Sequence, residues 1–114
     1  MDNSNTRQQK VEKQIQKDMA EILQREMPEV TSGALVTVTA VRVSPDFAYA
    51  KVYVSIFPFN RHEQVMRSLG QHARPLRGLL GNRLRNQLKS IPEIQFFLDD
   101  SLEYIEHIEQ AMKN

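Results

Sequence analysis

The chain has 114 residues, 40% of them hydrophobic and 25% charged, which is typical of one soluble globular domain. It has no cysteine and no apolar run long enough to cross a bilayer, which excludes disulfides, thiolate chemistry and a membrane-spanning helix. Residues 1–10 are polar and lack the apolar core of a secretory signal, so we expect a cytoplasmic protein without a membrane partner. We expect residues 1–114 to form a single domain in which residues 1–5 are disordered.

The net charge of +1 conceals a segregation of charge along the chain. Residues 1–63 carry eight basic and eight acidic side chains, residues 64–92 carry six basic and no acidic ones, and residues 93–114 carry one basic and six acidic ones. The three segments therefore have net charges of zero, +6 and −5, which predicts one electropositive surface. A polyanionic partner is the leading hypothesis.

The first predicted helix covers residues 6–27 and ends before Pro28, because proline disfavours helical geometry in the residue that precedes it. Its inward stripe is apolar: Val11, Ile15, Met19, Ile22 and Leu23. Its far side carries a basic stripe: Arg7, Lys10, Lys13 and Lys17. The helix dipole disfavours cations in this half of a helix, so the stripe predicts phosphate contacts, with plain solvation as the alternative.

Two strands are predicted next, at Leu35–Val43 and Phe47–Phe57, because both segments are rich in β-branched and aromatic residues. Ser44-Pro45-Asp46 separates them and suits a tight turn, since the proline ring presets the required φ. The two strands therefore form a hairpin.

The two faces of the second strand differ in chemistry. The small and branched residues are assigned to the core: Ala48, Ala50, Val52, Val54 and Ile56. Tyr49, Lys51 and Tyr53 occupy the other face, where they suit either base stacking or an ordinary half-exposed sheet.

A second helix is predicted from Asn60 to about Gly70, with Asn60 and Glu63 as a capping box. Gly70 loosens the chain, and Pro75 disfavours helical geometry at Arg74. We therefore expect a bend between Gly70 and Pro75, with Pro75 at the first position of a third helix.

The third helix is predicted from Pro75 to about Ser90, because leucines recur there at three- and four-residue intervals and would face inward. Its opposite side is cationic and contains two glycines: Arg74, Arg77, Gly78, Gly81, Arg85 and Lys89. An interior glycine costs a helix about 1 kcal/mol relative to alanine, so both glycines require a reason. One reason is the close approach of a phosphate backbone between flanking arginines, and the other is the close packing of another helix.

A third strand is predicted at Ile94–Leu98, followed by a last helix that Asp100 and Glu103 cap. That helix has an apolar and an acidic stripe: Leu102, Ile105, Ile108 and Met112 face inward, and Glu103, Glu106 and Glu109 face outward. The elements together predict an α+β fold in which helices cover one face of a three-stranded sheet.

The sequence shows no constellation of residues suited to catalysis or metal binding. Its histidines, His62, His72 and His107, are far apart, and no nucleophile or nucleotide-binding motif is present. We therefore expect no enzymatic activity, no metal and no cofactor. The segment Gly78-Leu79-Leu80-Gly81 matches the GxxG turn of KH domains, but we assign it to a helix, because a turn would expose both leucines.

Several motifs occur in an order that identifies a family. They are Val11-x-x-x-Ile15, Glu21-Ile22-Leu23, Val41-Arg42-Val43-Ser44-Pro45-Asp46, Ala50-Lys51-Val52-Tyr53-Val54-Ser55, Leu76-Arg77-x-Leu79-Leu80-Gly81, and Pro92-Glu93-Ile94-x-Phe96 followed by Asp99-x-Ser101. On these motifs the chain resembles the ribosome-binding factor A family over roughly Arg7 to Ile108. The predicted order of elements is that of the type II KH arrangement. Where the family has an Ala-x-Gly kink, this sequence has His72-Ala73-Arg74.

The resemblance implies a bacterial assembly factor that binds the immature small (30S) ribosomal subunit and its 16S rRNA. Such a factor assists late maturation or processing of the 16S rRNA 5′ region, supports growth in the cold and leaves before translation, without catalysing a reaction. We expect a monomer off the ribosome that binds phosphates through the outward side of residues 74–89 and the basic stripe of the first helix. We call residues 64–92, which carry six basic and no acidic side chains, the basic tract. The alternative is a small self-associating protein that pairs its basic tract with the acidic last helix of a neighbour.

Overall fold

Six principal elements follow one another in the structure, a computed structural model that describes residues 6–99. They are α1 (Thr6–Glu21), β1 (Leu35–Val43), β2 (Tyr49–Phe57), α2 (His62–Gln71), α3 (Ala73–Leu84) and β3 (Glu93–Leu98). Short helical turns at Ile22–Glu26, Pro28–Thr31 and Phe59–Arg61 join some of them. This order confirms the predicted α+β fold. The expectations for residues 1–5 and for the last helix lie outside the described residues.

The three strands form one sheet in the order β1-β2-β3. β1 and β2 are antiparallel, from the pair Leu35–Phe57 to the pair Val43–Ala50, with a bulge between Val38 and Ala40. β3 runs parallel to β2, with Tyr49 opposite Glu93 at the start of the paired segment. A parallel neighbour requires a crossover, and α2 and α3 supply it.

The core lies between one face of the sheet and the helices. Alternate residues of β2 are buried as predicted from Ala50 to Ile56, whereas Ala48 is exposed. The prediction that Ala48 belongs to the core is wrong, because β2 begins at Tyr49 and Ala48 lies in the turn before it. Ile15 of α1 and Leu80 of α3 are fully buried against the same face, so the opposite face of the sheet is free of these helices.

Polar side chains of α1 hold the free edge of β1. The Glu12 carboxylate accepts a hydrogen bond from the Val43 amide at 2.9 Å. Gln16 donates to the Val38 carbonyl at 3.0 Å, and Gln8 donates to the Val43 carbonyl at 3.3 Å. An edge strand whose backbone groups are occupied cannot readily pair with another chain.

The bend between α2 and α3 falls on His72, inside the predicted segment. The His72 amide donates to the Ser68 carbonyl at 3.0 Å, and the His72 carbonyl accepts from the Leu76 amide at 3.0 Å, so backbone bonding continues on both sides of the break. Pro75 is the third residue of α3, not the first as predicted; its missing amide is tolerated there because the first-turn amides of a helix have no partner within the helix.

Two further predictions about helix ends are wrong. No side-chain capping bond forms at the start of α2, because a helical turn at Phe59–Arg61 leads directly into it and carries Asn60 with it. α3 ends at Leu84, whereas the leucine spacing predicted a helix to about Ser90. Leu88 is buried, but it reaches the core from a turn.

Candidate nucleic-acid interface

A groove of about 710 Å³ opens between the start of α1, the hairpin turn and the turn after α3. Three of the predicted phosphate ligands line it: Arg7, Arg85 and Lys89. We call this cavity the basic groove. It is assembled from three distant parts of the chain, and all three cations are exposed to solvent.

The hairpin turn positions Arg7. Phe47 adopts a φ of 59°, an uncommon left-handed conformation for an aromatic residue. Its half-buried ring packs against the core, and the Arg7 guanidinium lies 4.8 Å from the ring centroid in a cation–π arrangement. The start of α1 is thereby tied to the rim of the basic groove.

One carboxylate, Asp46, also lines the basic groove. It accepts hydrogen bonds from the Ser44 hydroxyl at 2.8 Å and from the Ala48 amide at 3.1 Å. These two donors hold the pKa of Asp46 below the ordinary aspartate value. The charged carboxylate of Asp46 therefore stabilises the hairpin turn, and its negative charge reduces the positive potential of the groove.

Arg85 and Lys89 project from a turn and not from the helix side on which they were predicted. The amides of Gln87 and Leu88 both donate to the Leu84 carbonyl, at 2.8 and 3.0 Å. Leu88 anchors this turn in the core, while the cations on either side of it stay exposed. The prediction that both cations extend the face of α3 is wrong, but they remain on the surface.

A second cleft of about 500 Å³ adjoins the basic groove, and both cavities include Ala48 and Ser90 in their walls. Arg74 and Arg77 of α3 line this second cleft. The Arg77 guanidinium donates to the carbonyls of Ile91 and Pro92, at 2.6 and 3.1 Å. Arg77 thus fastens the segment before β3 to α3, a structural role that the sequence did not indicate.

The two glycines of α3, Gly78 and Gly81, differ in what lies next to them. Nothing lies within 4 Å of the position that a Cβ on Gly78 would take, so its surface is open. A Cβ on Gly81 would lie 3.1 Å from Cγ1 of Ile91. The close approach predicted for a phosphate at Gly81 is made by Ile91 instead, and that prediction is corrected. A phosphate at Gly78 stays a prediction.

The remaining predicted ligands lie outside both clefts. Lys10, Lys13 and Lys17 are exposed along α1, and neither cavity includes them in its walls. The structure therefore brings five of the predicted residues to two adjoining clefts: Arg7, Arg74, Arg77, Arg85 and Lys89.

Arg83, which also belongs to the basic tract, is the centre of an ion-pair cluster. Its guanidinium lies 3.2 Å from Asp18, 2.7 Å from Glu21 and 3.0 Å from Glu26. These contacts raise the pKa of Arg83 above its usual range and, through the hydrogen bond from Arg83, lower that of Glu21. Arg83 thus joins α3 to α1 and is withheld from an external anion.

Other chemistries receive no support among residues 6–99. That segment contains no group of three or more histidine or acidic side chains placed to hold a metal ion. None of its helices has both the length and the apolar character needed to cross a bilayer. Base stacking by Tyr49, Lys51 and Tyr53, on the face of the sheet opposite the core, stays a prediction.

The fold and the clefts define a KH-like α+β domain with a cationic surface beside its helical bend. The sequence model of the family described as ribosome-binding factor A matches residues 7–112. The chain belongs to the ribosome-binding factor A family.

Individual relatives agree with this assignment. Ribosome-binding factor A of Christiangramia forsetii is 41% identical over 108 residues, covering 94% of this chain and 82% of the relative. The crystal structure of the Thermus thermophilus protein has a TM-score of 0.67 at 30% identity and covers 80% of this chain and 94% of that one. A Thermus thermophilus homology model fitted into a map of a 30S–RbfA complex has a TM-score of 0.64 at 32% identity, with coverage of 80% and 93%.

Proposed function

We propose that this protein binds the immature small (30S) ribosomal subunit through its 16S rRNA and assists late maturation or processing of the 5′ region of that RNA. The observation that carries the proposal is the likeness to a ribosome-binding factor A fitted into a 30S complex, over 80% of this chain. The protein would act by binding alone, as a cytoplasmic monomer when off the ribosome. It would support growth in the cold and leave before translation.

The basic groove is the proposed contact for RNA phosphates. Arg7, Arg85 and Lys89 are exposed there, and Arg74 extends the cationic surface into the second cleft. Such contacts fix the orientation of a protein on RNA but do not read the sequence. Specificity would come from the shape of the rRNA and from neighbouring ribosomal proteins.

A charge reversal at the basic groove tests this contact. The double variant Arg85→Glu, Lys89→Glu places two anions where phosphates would bind. Each lost charge-assisted bond costs about 1.5 kcal/mol or more, so affinity for immature 30S subunits should fall about 100-fold or further. Cosedimentation with immature and mature subunits measures the affinity, and unfolding in urea checks that the fold persists.

The matched control is Arg25→Glu, Arg67→Glu, which changes the net charge equally. Both arginines are exposed, and neither lines either cleft. This control should retain most of the affinity. Equal losses in the two double variants would show that net charge, and not the groove, determines binding.

A further inference from the structure

The face of the sheet opposite the core carries an apolar patch that none of α1, α2 and α3 covers. Leu35 and Phe57, which are direct cross-strand partners, are 65% and 53% exposed. Tyr53 and Phe97 are also partners, on β2 and β3, and their rings stack with centroids 5.6 Å apart. We call this surface the outward face. The Thr37–Ser55 pair lies between these two apolar pairs. Exposed apolar side chains grouped on one face of a sheet mark an interaction surface.

Two cations lie beside the aromatic pair in an arrangement that costs energy without a partner. Arg42 and Lys51 are directly opposite each other on β1 and β2, and like charges in that position destabilise a sheet. The Lys51 ammonium lies 5.8 Å from the centroid of the Phe97 ring. Within residues 6–99 no ion pair joins Arg42 or Lys51 to a carboxylate. The outward face therefore suits a partner that is both apolar and acidic.

Asp99, the last described residue, has its side chain on this same face, because it follows Phe97 by two residues. The Asp99 amide still bonds to the Val54 carbonyl at 2.7 Å, while the Asp99 carboxylate accepts a bond from the Thr39 hydroxyl of β1, also at 2.7 Å. Asp99 thus reaches across β2. Beside it opens a shallow cleft of about 480 Å³, with Arg42 and Tyr53 in its wall.

The residues that follow Asp99 have the required chemistry. Residues 100–114 carry four acidic side chains and one basic one, whereas residues 6–99 carry nine acidic and fourteen basic ones. Their apolar positions recur at helical spacing: Leu102, Ile105, Ile108 and Met112. Thirteen residues in a helix span about 20 Å, comparable with the distance of about 20 Å along β2 from Lys51 to Phe57.

We propose that residues 100–112 dock on the outward face, with their apolar stripe on the Tyr53–Phe97 pair and the Leu35–Phe57 pair. At about 100° per residue, Glu106 and Glu109 flank that stripe and would lie toward Arg42 and Lys51. The covalent link gives this segment an effective concentration in the millimolar range, which favours it over a free partner of similar affinity. The inference does not depend on the ribosomal function. The docked segment would leave the basic groove open, because none of the residues that line the groove belongs to the proposed docking surface.

A spin label tests the proposal in the full-length chain. Because the protein has no cysteine, Gln110→Cys gives a single attachment point, eleven residues beyond Asp99. In a ¹⁵N-labelled sample that carries the spin label, the amide signals of Arg42, Lys51 and Tyr53 should lose most of their intensity. The amide signal of Gly78 on α3 should keep its intensity.

Charge exchange supplies the matched controls. Arg42→Glu together with Lys51→Glu should restore the lost intensity, and adding Glu103→Lys, Glu106→Lys and Glu109→Lys to that variant should remove it again. The variant Arg25→Glu, Arg67→Glu should behave as the unmodified chain.

Three results would overturn the proposal. One is full signal intensity at Arg42, Lys51 and Tyr53 in the spin-labelled chain. A second is an equal loss of intensity in ¹⁵N chains that carry no spin label when they are mixed with spin-labelled ¹⁴N chains, which would assign the outward face to a second copy. The third is a shift of the Tyr53 and Phe97 signals by a single-stranded oligouridine without any effect of the spin label, which would assign the face to RNA.

Discussion

Arg83 is the residue whose role differs most from that of its neighbours in the basic tract. It contacts Asp18, Glu21 and Glu26, and the Asp18 side chain is only 8% exposed. In Arg83→Ala, Asp18 would keep its bond from Gln14 and lose the guanidinium. We expect the free energy of unfolding to fall by about 1–2 kcal/mol at pH 7, because a nearly buried carboxylate loses a donor. Urea unfolding measures this difference.

The loss of unfolding free energy in Arg83→Ala should also depend on pH, and its direction follows from the pKa of Glu21. Arg83 lowers the pKa of Glu21 below its ordinary value of 4.5. A carboxylate with a lowered folded-state pKa stabilises the protein above its unfolded-state value and loses that contribution as the pH falls through the lower value. The difference between the natural chain and Arg83→Ala should therefore be full at pH 7 and shrink below pH 4.5. Arg74→Ala, an exposed arginine of the same helix, should show little loss, and an Arg83 effect that is unchanged at pH 3 would contradict the assignment.

Within the elements, α3 contains two glycines with different surroundings, which predicts different effects of the same substitution. Gly78→Ala should stabilise the protein by about 0.5–1 kcal/mol, because the new methyl group meets open space and helix propensity rises. Gly81→Ala should gain less or lose, because its Cβ would lie 3.1 Å from Ile91. Gly81→Val should destabilise. The midpoints of urea unfolding curves with equal slopes measure all three variants.

Subunit binding by the same variants separates packing from function. If a phosphate lies against Gly78, Gly78→Ala should bind 30S subunits more weakly although it is more stable. Gly81→Ala should change binding only through its effect on the segment near Ile91. Equal stabilisation by the two alanines would show that Ile91 does not pack on α3.

The ends of the elements show which local signals sufficed. β1 was predicted at its observed bounds, because its β-branched residues end at the turn residues Ser44 and Pro45. The end of α3 was not found, since Leu88 continues the four-residue spacing from Leu84 although it reaches the core from a turn. Leucine spacing alone does not distinguish a helical residue from one that follows the helix.

The basic groove was predictable only in part for a related reason. A tract with no acidic residue indicated exposed cations, and Arg85 and Lys89 are exposed. Charge alone did not show that Arg77 would bind backbone carbonyls or that Arg83 would bind carboxylates. Phe47, which brings Arg7 to the groove, is far from Arg85 in the sequence, and no local pattern joins them.

For the whole molecule, the effect of salt on RNA binding depends on how many cations of the two clefts are not already bound to groups of the protein itself. Four exposed cations remain in the two clefts, namely Arg7, Arg74, Arg85 and Lys89. If each neutralises one phosphate, the logarithm of the association constant should fall with that of the salt concentration at a slope of roughly −3 to −4. Titration of an rRNA fragment between about 50 and 200 mM salt measures the slope. Arg85→Ala should make it shallower by about 1, whereas Arg83→Ala should leave it unchanged, because Arg83 is neutralised by the protein's own carboxylates. A flat response, or an equal change in the two variants, would remove the electrostatic basis of the proposed contact.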